Sequence, residues 1–274
     1  VTFDLWKGES DAEPFIPQIV DDLKSRGISE FDAGAWIVRV ARESDKKEMP
    51  PIILVNRDGA IGYHGSDLGT IMDRKRSVDP QLSLYVVDQR QALHFEQVFR
   101  ASERAGYLPE KELEHLGFGT VNGPDGKPFK TREGGILKLH EFIAQADAVA
   151  TARMKEAELG ADVSEAEQEA IAHKVAVAAI KFSDLSNVRT TNYIFDLDRF
   201  ISFEGKTGPY LLYAAVRIKS LARRAEAEGV KVGPITIELD AERALVLALD
   251  GFNDALRGAY ERRMPHILCE HAYA

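Results

Sequence analysis

The stretch "LSLYVVDQRQALHFEQVFRASERAG" (82–106) decides the fold class. Its first seven residues form a short, nearly unbroken apolar and β-branched run, which is typical of a strand buried on both faces. From Ala92 onward, apolar residues recur at helical spacing, and Gly106 ends that pattern. A strand that leads through a short turn into a helix is half of a βαβ unit, so we predict a parallel sheet.

Shorter patterns on either side of this stretch predict an α/β first half. Apolar residues at helical spacing predict a helix over 11–27. Residues 35–41 and 51–59 read as strands joined by a charged loop, and 66–76 read as a helix. Residues 114–130 predict a strand, a Gly/Pro/Asp turn and a return strand.

The second half, from about residue 136, is rich in Ala and Glu and predicts long helices. Ser164 and Glu167 have the spacing of a capping box. Pro209 is well placed in the first turn of a helix over 207–229. The remaining segments are an extended piece at 192–203 and two helical stretches at 240–249 and 252–273.

Length and composition exclude several classes of protein. The chain has 274 residues, a formal net charge of −9 and 45% hydrophobic residues, which is ample for one or two packed cores. No apolar run approaches the roughly 20 residues of a membrane helix. Cys269 is the only cysteine, which excludes a disulfide framework and favours a cytoplasmic protein. The seven His show no paired metal spacing, so we expect no tightly bound protein metal.

The first candidate site is the junction "YVVDQRQALH" (85–94). Ligands of open parallel sheets bind just beyond the carboxyl ends of the strands. Asp88 and Gln91 have capping-box spacing, and His94 shares the first helical turn with Gln91. Gln91 and His94 therefore either cap and pack the helix or point into a crevice, where a neutral imidazole at a helix N-terminus can contact a nucleotide.

A second junction, "GAIGYHGSDLG" (59–69), places Tyr63 and Asp67 four residues apart. Asp67 is either an ordinary first-turn carboxylate that complements the helix dipole or a ligand-binding group. Together with Tyr63, Gln91 and Glu9 of the "GES" at 8–10, it would suit a guanidinium. That planar cation binds carboxylates in fork geometry and stacks on aromatic rings.

Two glycine-containing segments suit a nucleotide. "HLGFGTV" (115–121) marks either a strand bulge or a flat ligand lying against the backbone. The loop "GPDGKPFKTREGG" (123–135) is either a solvated hairpin tip or a cationic flap over a triphosphate. Its cations and hydroxyl are Lys127, Lys130, Thr131 and Arg132.

One stripe of the 209–224 helix is polar. It carries Tyr213, Arg217 and Arg224, and it is either a solvated face or a contact for a nucleic-acid backbone. We expect the opposite stripe to pack in the core; it consists of Leu211, Ala215, Ile218 and Ala222.

Taken in order, these segments strongly resemble class I arginyl-tRNA synthetases over nearly the whole chain. The resemblance is carried by "FDLWKGESD", "GYHGSDLG", "YVVDQRQALHFEQVF", "HLGFGTVNGPDGKPFKTREGG", "KFSDLSNVRTTNYIFDLDRFISFEGKTGPYLLYAAVRIKSLARR" and "RRMPHILCEHAYA". It implies a Rossmann-like catalytic half with parallel strands, followed by an all-α helical bundle. It also implies an arginine–tRNA ligase that forms an arginyl-adenylate, with L-arginine, ATP, Mg²⁺ and tRNA-Arg as its ligands, no membrane partner, and a monomeric cytoplasmic form.

The resemblance assigns roles to individual residues. The arginine-binding residues are Glu9, Tyr63, Asp67 and Gln91. The ATP-binding residues are His94, Gly117, Phe118, Gly119, Phe129 and Lys130. The loop "FKTRE" (129–133) resembles a degenerate Lys-Met-Ser-Lys loop, so Lys130, Thr131 and Arg132 are the catalytic candidates. The tRNA-binding candidates are Tyr213, Arg217 and Arg224.

The resemblance also predicts three domains and exposes two departures. We expect the second half of the catalytic domain at 1–150, a connecting helical region that contacts the tRNA stem at 151–206, and the start of an anticodon-binding domain at 207–274. Gly65 stands where the family commonly has Thr, and the His-x-Gly-His type of ATP motif is absent. We therefore expect a fragment that is inactive alone, and the alternative is a non-catalytic paralogue acting as an RNA-binding or regulatory module.

Overall fold

The computed structural model describes residues 2–123, 125–127, 138–156 and 163–274. The chain divides into two compact units, Val1–Phe118 and Gly119–Ala274. None of the helices in the described ranges is long and apolar enough to cross a lipid bilayer.

The first unit begins with a 3-10 helix, Glu9–Phe15, that continues into helix α1, Ile16–Ser25. The apolar residues of α1 are buried on one side, as their spacing predicts. Gly27 follows with a positive φ of 64° and ends the segment, because a left-handed backbone suits glycine.

An antiparallel sheet follows, with strands β1 (Glu30–Asp32), β2 (Ala35–Val38) and β3 (Ile52–Val55) in that spatial order. Helix α2 spans Tyr63–Ser77, so it begins three residues before the predicted start at Ser66. The predicted start missed the first turn because Gly62 and Gly65 resemble loop residues. In the structure Gly62 is the extended residue before the helix, and Gly65 is buried inside the first turn.

The predicted parallel unit is confirmed. Strand β4 (Ser83–Asp88) leads through a 3-10 turn, Gln89–Gln91, into helix α3 (Ala92–Ala105), which returns to strand β5 (Leu113–Phe118). The two strands pair in parallel, with Asp88 opposite Phe118 at their carboxyl ends.

The prediction that β4 is buried on both faces is wrong. Ser83 and Tyr85 face the core, whereas Val86 is 63% exposed and Leu84 is also exposed. Within the described residues β4 pairs only with β5, and one face of this two-stranded sheet has no covering layer. The largely buried core of the unit lies on the other face and includes Ile19, Leu23, Val38, Ile52, Leu54, Leu68, Ile71, Val98 and Leu108.

The second unit begins with strand β6 (Val121–Asn122), which pairs in parallel with β7 (Tyr193–Ile194). The return strand predicted for the end of 114–130 lies mostly outside the described residues, and β7 is the partner that β6 has. The predicted extended piece at 192–203 is correct for β7, but it also contains the short helix α6, Leu197–Phe200.

Long helices form the rest of the unit. Helices α4 (Leu139–Glu156) and α5 (Glu165–Leu185) pack through small residues, and the Ser164 hydroxyl caps α5 by accepting a hydrogen bond from the Glu167 backbone N–H at 3.3 Å. Helix α7 spans Gly208–Ala227 with Pro209 in its first turn, as predicted.

Three shorter helices follow: α8 (Asp240–Asp250), α9 (Phe252–Arg262) and α10 (His266–Tyr273). The predicted single helical stretch at 252–273 is interrupted because Arg263 has a φ of 54° and Pro265 follows it.

The predicted core stripe of α7 is wrong over most of its length. Ile218 is 67% exposed, and Ala215 and Ala222 are exposed as well, whereas Leu211 is partly buried. The buried residues of α7 are Gly208 and Pro209 at its N-terminal end, whereas the side chains of its later turns are mostly exposed.

Candidate active site

The N-terminal half of α2 carries two of the predicted arginine-binding residues. The Tyr63 side chain is 76% exposed at the first position of the helix. Asp67 lies one turn later, and its carboxylate is only 29% exposed. A carboxylate with most of its hydration removed favours a cationic or hydrogen-bonding partner.

That partner is an imidazole from α3. His94 Nε2 lies 2.5 Å from Asp67 Oδ2, and the His94 side chain is 23% exposed. The contact joins a residue assigned to arginine with a residue assigned to ATP, and it spans 27 positions of sequence. The sequence predicted both residues but not their contact.

A second histidine, His64, packs against this pair. The rings of His64 and His94 lie 4.7 Å apart between centroids with an interplanar angle of 33°. Burial lowers the pKa of His64 below its ordinary value, and the neighbouring His94 lowers it further. Sequence reasoning did not single out His64; its signal is the spacing of three residues to Asp67, which places both on one side of a helix.

A cavity of about 720 Å³ opens beside the start of α2. Glu9, from the 3-10 helix, lines it together with Ser66 of α2. The full lining consists of Glu9, Ser10, Glu13, Ile16, Pro17, Ile61 and Ser66. Two carboxylates in this lining make the cavity suited to a cation.

At the carboxyl end of β4, Asp88 is bound within the protein, whereas Gln91 has no such bond among the described residues, a difference that the sequence did not show. Asp88 accepts a hydrogen bond from the Arg90 backbone N–H at 2.8 Å and forms a two-point pair with the Arg90 guanidinium. This pair lowers the pKa of Asp88 to about 2. Gln91 is exposed and does not cap α3, so its amide is available to a ligand.

The glycines of "GFG" are explained in part by packing. A Cβ added at Gly117 would lie 3.0 Å from the Gln89 Cα, and a Cβ added at Gly119 would lie 2.4 Å from the Thr191 carbonyl oxygen. Phe118 lies between them and is partly exposed. Each glycine therefore permits a close backbone approach within its own unit.

The remaining predicted residues fall into two groups. Phe129, Lys130, Thr131 and Arg132 lie outside the described residues, whereas Lys127 is described and exposed. In the second unit Tyr213, Arg217 and Arg224 are exposed on α7, and Arg224 lies 3.5 Å from Glu228. Within the described ranges no group of three or more His, Cys, Asp or Glu side chains could hold a metal ion.

Two known protein families match this chain. The family described as "tRNA synthetases class I (R), catalytic domain" matches residues 1–197. The chain belongs to this family of class I tRNA synthetases. The "DALR anticodon binding domain" matches residues 211–274.

Curated relatives of this synthetase chain match it from end to end. The arginine–tRNA ligase of Hyphomonas neptunium is 60% identical over 275 residues, and that of Maricaulis maris is 60% identical over 273. Each match covers 100% of this chain but only 47% and 46% of the relative. The chain thus spans about half the length of the curated relatives it matches.

Solved structures of synthetases share the fold. The arginyl-tRNA synthetase of Plasmodium falciparum superposes with a TM-score of 0.79 at 22% identity, covering 97% of this chain and 45% of that one. The Thermus thermophilus arginyl-tRNA synthetase gives a TM-score of 0.78 at 24% identity, covering 98% and 50%. These likenesses confirm the class I synthetase fold predicted from the sequence.

Proposed function

We propose that this chain is part of an arginine–tRNA ligase. The enzyme would activate L-arginine with ATP to arginyl-adenylate and transfer the arginyl group to tRNA-Arg. Two observations carry the proposal: the largely buried Asp67 carboxylate of α2, which pairs with His94, and the cavity that Glu9 and Glu13 line together with Ser66 of α2. Both lie in a chain whose relatives are named arginine–tRNA ligases.

Arginine recognition is proposed for Asp67, Glu9, Tyr63 and Gln91. A guanidinium has five N–H donors in one plane, so it is bound best by carboxylate and amide oxygens arranged around that plane. Asp67 supplies a carboxylate with little hydration, Glu9 a second one at the cavity, and Gln91 an uncommitted amide. The exposed Tyr63 ring offers a face on which a guanidinium can stack.

ATP binding is proposed for His94, Gly117, Phe118, Gly119 and Phe129. Lys130, Thr131 and Arg132 are proposed to stabilise the charge that develops on the phosphates during adenylate formation. Mg²⁺ would arrive with ATP and be held mainly by phosphate oxygens, as is usual for this ion.

The tRNA interface is proposed for Tyr213, Arg217 and Arg224 within a domain at 207–274. The support is the exposure of these side chains on α7 and the match of residues 211–274 to an anticodon-binding family. We retain 1–150 and 151–206 as the proposed catalytic and stem-contacting regions. We further propose a monomeric, cytoplasmic enzyme.

Gly65 does not favour the alternative of a non-catalytic paralogue. A Cβ at this position would lie 2.7 Å from Ile61 Cγ2, so glycine here has a packing reason that is independent of activity.

The test of the proposal is Asp67→Ala in a longer polypeptide that contains this chain and has the length of its curated relatives. We expect the apparent arginine requirement in pyrophosphate exchange to rise about 30-fold or more, since removing one side of a desolvated charge pair costs about 2 kcal/mol or more. The ATP requirement should change far less. Asp73→Ala is the control, because Asp73 lies on the same helix and pairs with Lys7. An equal effect of Asp67→Ala on both substrates would contradict the assignment.

A further inference from the structure

His94 is already committed to a protein contact in this chain. Its Nε2 atom reaches Asp67 Oδ2, whereas the second oxygen, Oδ1, has no donor among the described residues. A carboxylate has about four lone-pair positions, so an imidazole N–H on one oxygen leaves the other oxygen free to accept from a ligand. The contact therefore orients the Asp67 carboxylate and leaves its Oδ1 atom available to a ligand.

The imidazole is itself held firmly. His94 lies in the first turn of α3, and its ring meets Phe95 edge-on at 5.2 Å between centroids. On its other side it packs against His64 at 4.7 Å. Hydrogen bonding to Gln97 and to the Ile53 backbone acts against the lowering of the His64 pKa. Gln97 is itself buried and donates to the Pro50 carbonyl oxygen at 2.7 Å.

His64, His94 and Asp67 thus form a row of successive contacts that ends at the Asp67 carboxylate. A recognition group must be held within a fraction of an ångström by neighbours whose own positions are fixed. Asp67 has one such neighbour in the row, and that neighbour is His94.

We propose that His94 is a positioning residue for arginine recognition. It orients Asp67 through its Nε2 atom, and the His64 ring packs against the His94 ring and restricts its movement. The inference rests on the proposed function and deepens it, because it connects the residue assigned to ATP with the arginine site.

The test measures L-arginine and ATP affinity by calorimetric titration of a longer polypeptide that contains this chain and has the length of its curated relatives. His94→Phe keeps the aromatic contacts but removes the donor, and we expect it to weaken arginine binding about five-fold or more. His94→Gln restores an N–H donor and should recover most of that loss. In Asp67→Asn, adding His94→Phe should cost little more, since the two residues act on the same interaction.

His173→Gln is the matched control, because His173 lies 3.0 Å from Asp147 in the second unit and has no part in the row. Thermal midpoints establish that each variant is folded. If His94→Phe weakens ATP binding and leaves arginine binding unchanged, the positioning role is wrong and His94 acts only in nucleotide binding. If wild-type arginine binding is absent or indifferent to Asp67→Asn, the proposed arginine site itself fails.

Discussion

Gly208 occupies a position where no side chain fits. A Cβ there would lie 2.1 Å from the Ala178 carbonyl oxygen of α5, which is far inside a normal contact. The glycine thus lets the first residue of α7 touch the backbone of α5 directly. The sequence predicts a helix start here from Pro209, but it does not show that the start of this helix contacts α5.

Gly208→Ala should therefore destabilise the protein by about 2 kcal/mol or more, because backbone atoms cannot move aside cheaply. Gly233→Ala is the matched control, since no atom lies within 4 Å of its added methyl group, and it should stay within about 0.5 kcal/mol of wild type. Urea unfolding at neutral pH provides the measurement. Equal midpoints for the two variants would show that the α5–α7 contact is looser than described.

The candidate site shows the same limit at the scale of single residues. Local spacing was enough to single out Asp67 and His94, since each follows a helix-start pattern. Their contact depends on how α2 packs against α3, which local patterns do not encode. His64 was missed for the same reason, because its importance lies in the ring it packs against.

At the scale of elements, one ion-pair cluster attaches the loop between β2 and β3 to helix α3. Arg100 is buried and forms two bonds to Asp45, at 2.7 and 2.8 Å, and a third to Glu96. Asp45 also accepts from the Arg42 backbone N–H at 2.8 Å. The Arg100 side chain is the main cause that lowers the pKa of Asp45 to about 2.

Asp45→Asn should lower the thermal and urea midpoints at pH 7, because it leaves the buried Arg100 with fewer charged partners. A carboxylate with a depressed pKa stabilises the fold above its unfolded pKa of about 4, and this contribution is lost as the pH falls through about 2. The difference between variant and wild type should accordingly shrink between pH 4 and pH 2.

Asp79→Asn is the control for this series, since Asp79 pairs with Lys75 on the surface and such pairs contribute little. A variant–wild-type difference that persists unchanged at pH 2 would show that the Asp45 charge is not the cause.

Elements were predicted more successfully than their surroundings. Helical spacing and caps located α1, α3, α5 and α7, because those signals are local. Burial was predicted less well. Strand β4 has apolar residues on both faces and α7 has an apolar stripe, yet Leu84, Val86 and Ile218 are exposed in this chain. A sequence pattern reports which faces are apolar, but it does not report which neighbours are present to cover them.

At the scale of the whole molecule, the chain matches only part of its relatives. It spans about half of its curated relatives and contains no His-x-Gly-His sequence. Residues 1–274 alone should therefore bind arginine or ATP weakly and fail to charge tRNA. Arginine-dependent pyrophosphate exchange measures this directly, with a polypeptide of the relatives' length as the positive control. Robust exchange by the 274-residue chain would overturn the expectation.

The anchored start of α7 has a mechanical consequence. Its 20 residues form a rod of about 30 Å. Gly208 places one end against α5, while the side chains of the outer turns are mostly exposed. A tilt of about five degrees at that pivot would displace the far end by roughly 2.6 Å, given a rise of about 1.5 Å per residue. Slight rearrangement where the two backbones touch is thereby magnified at the tip of the rod.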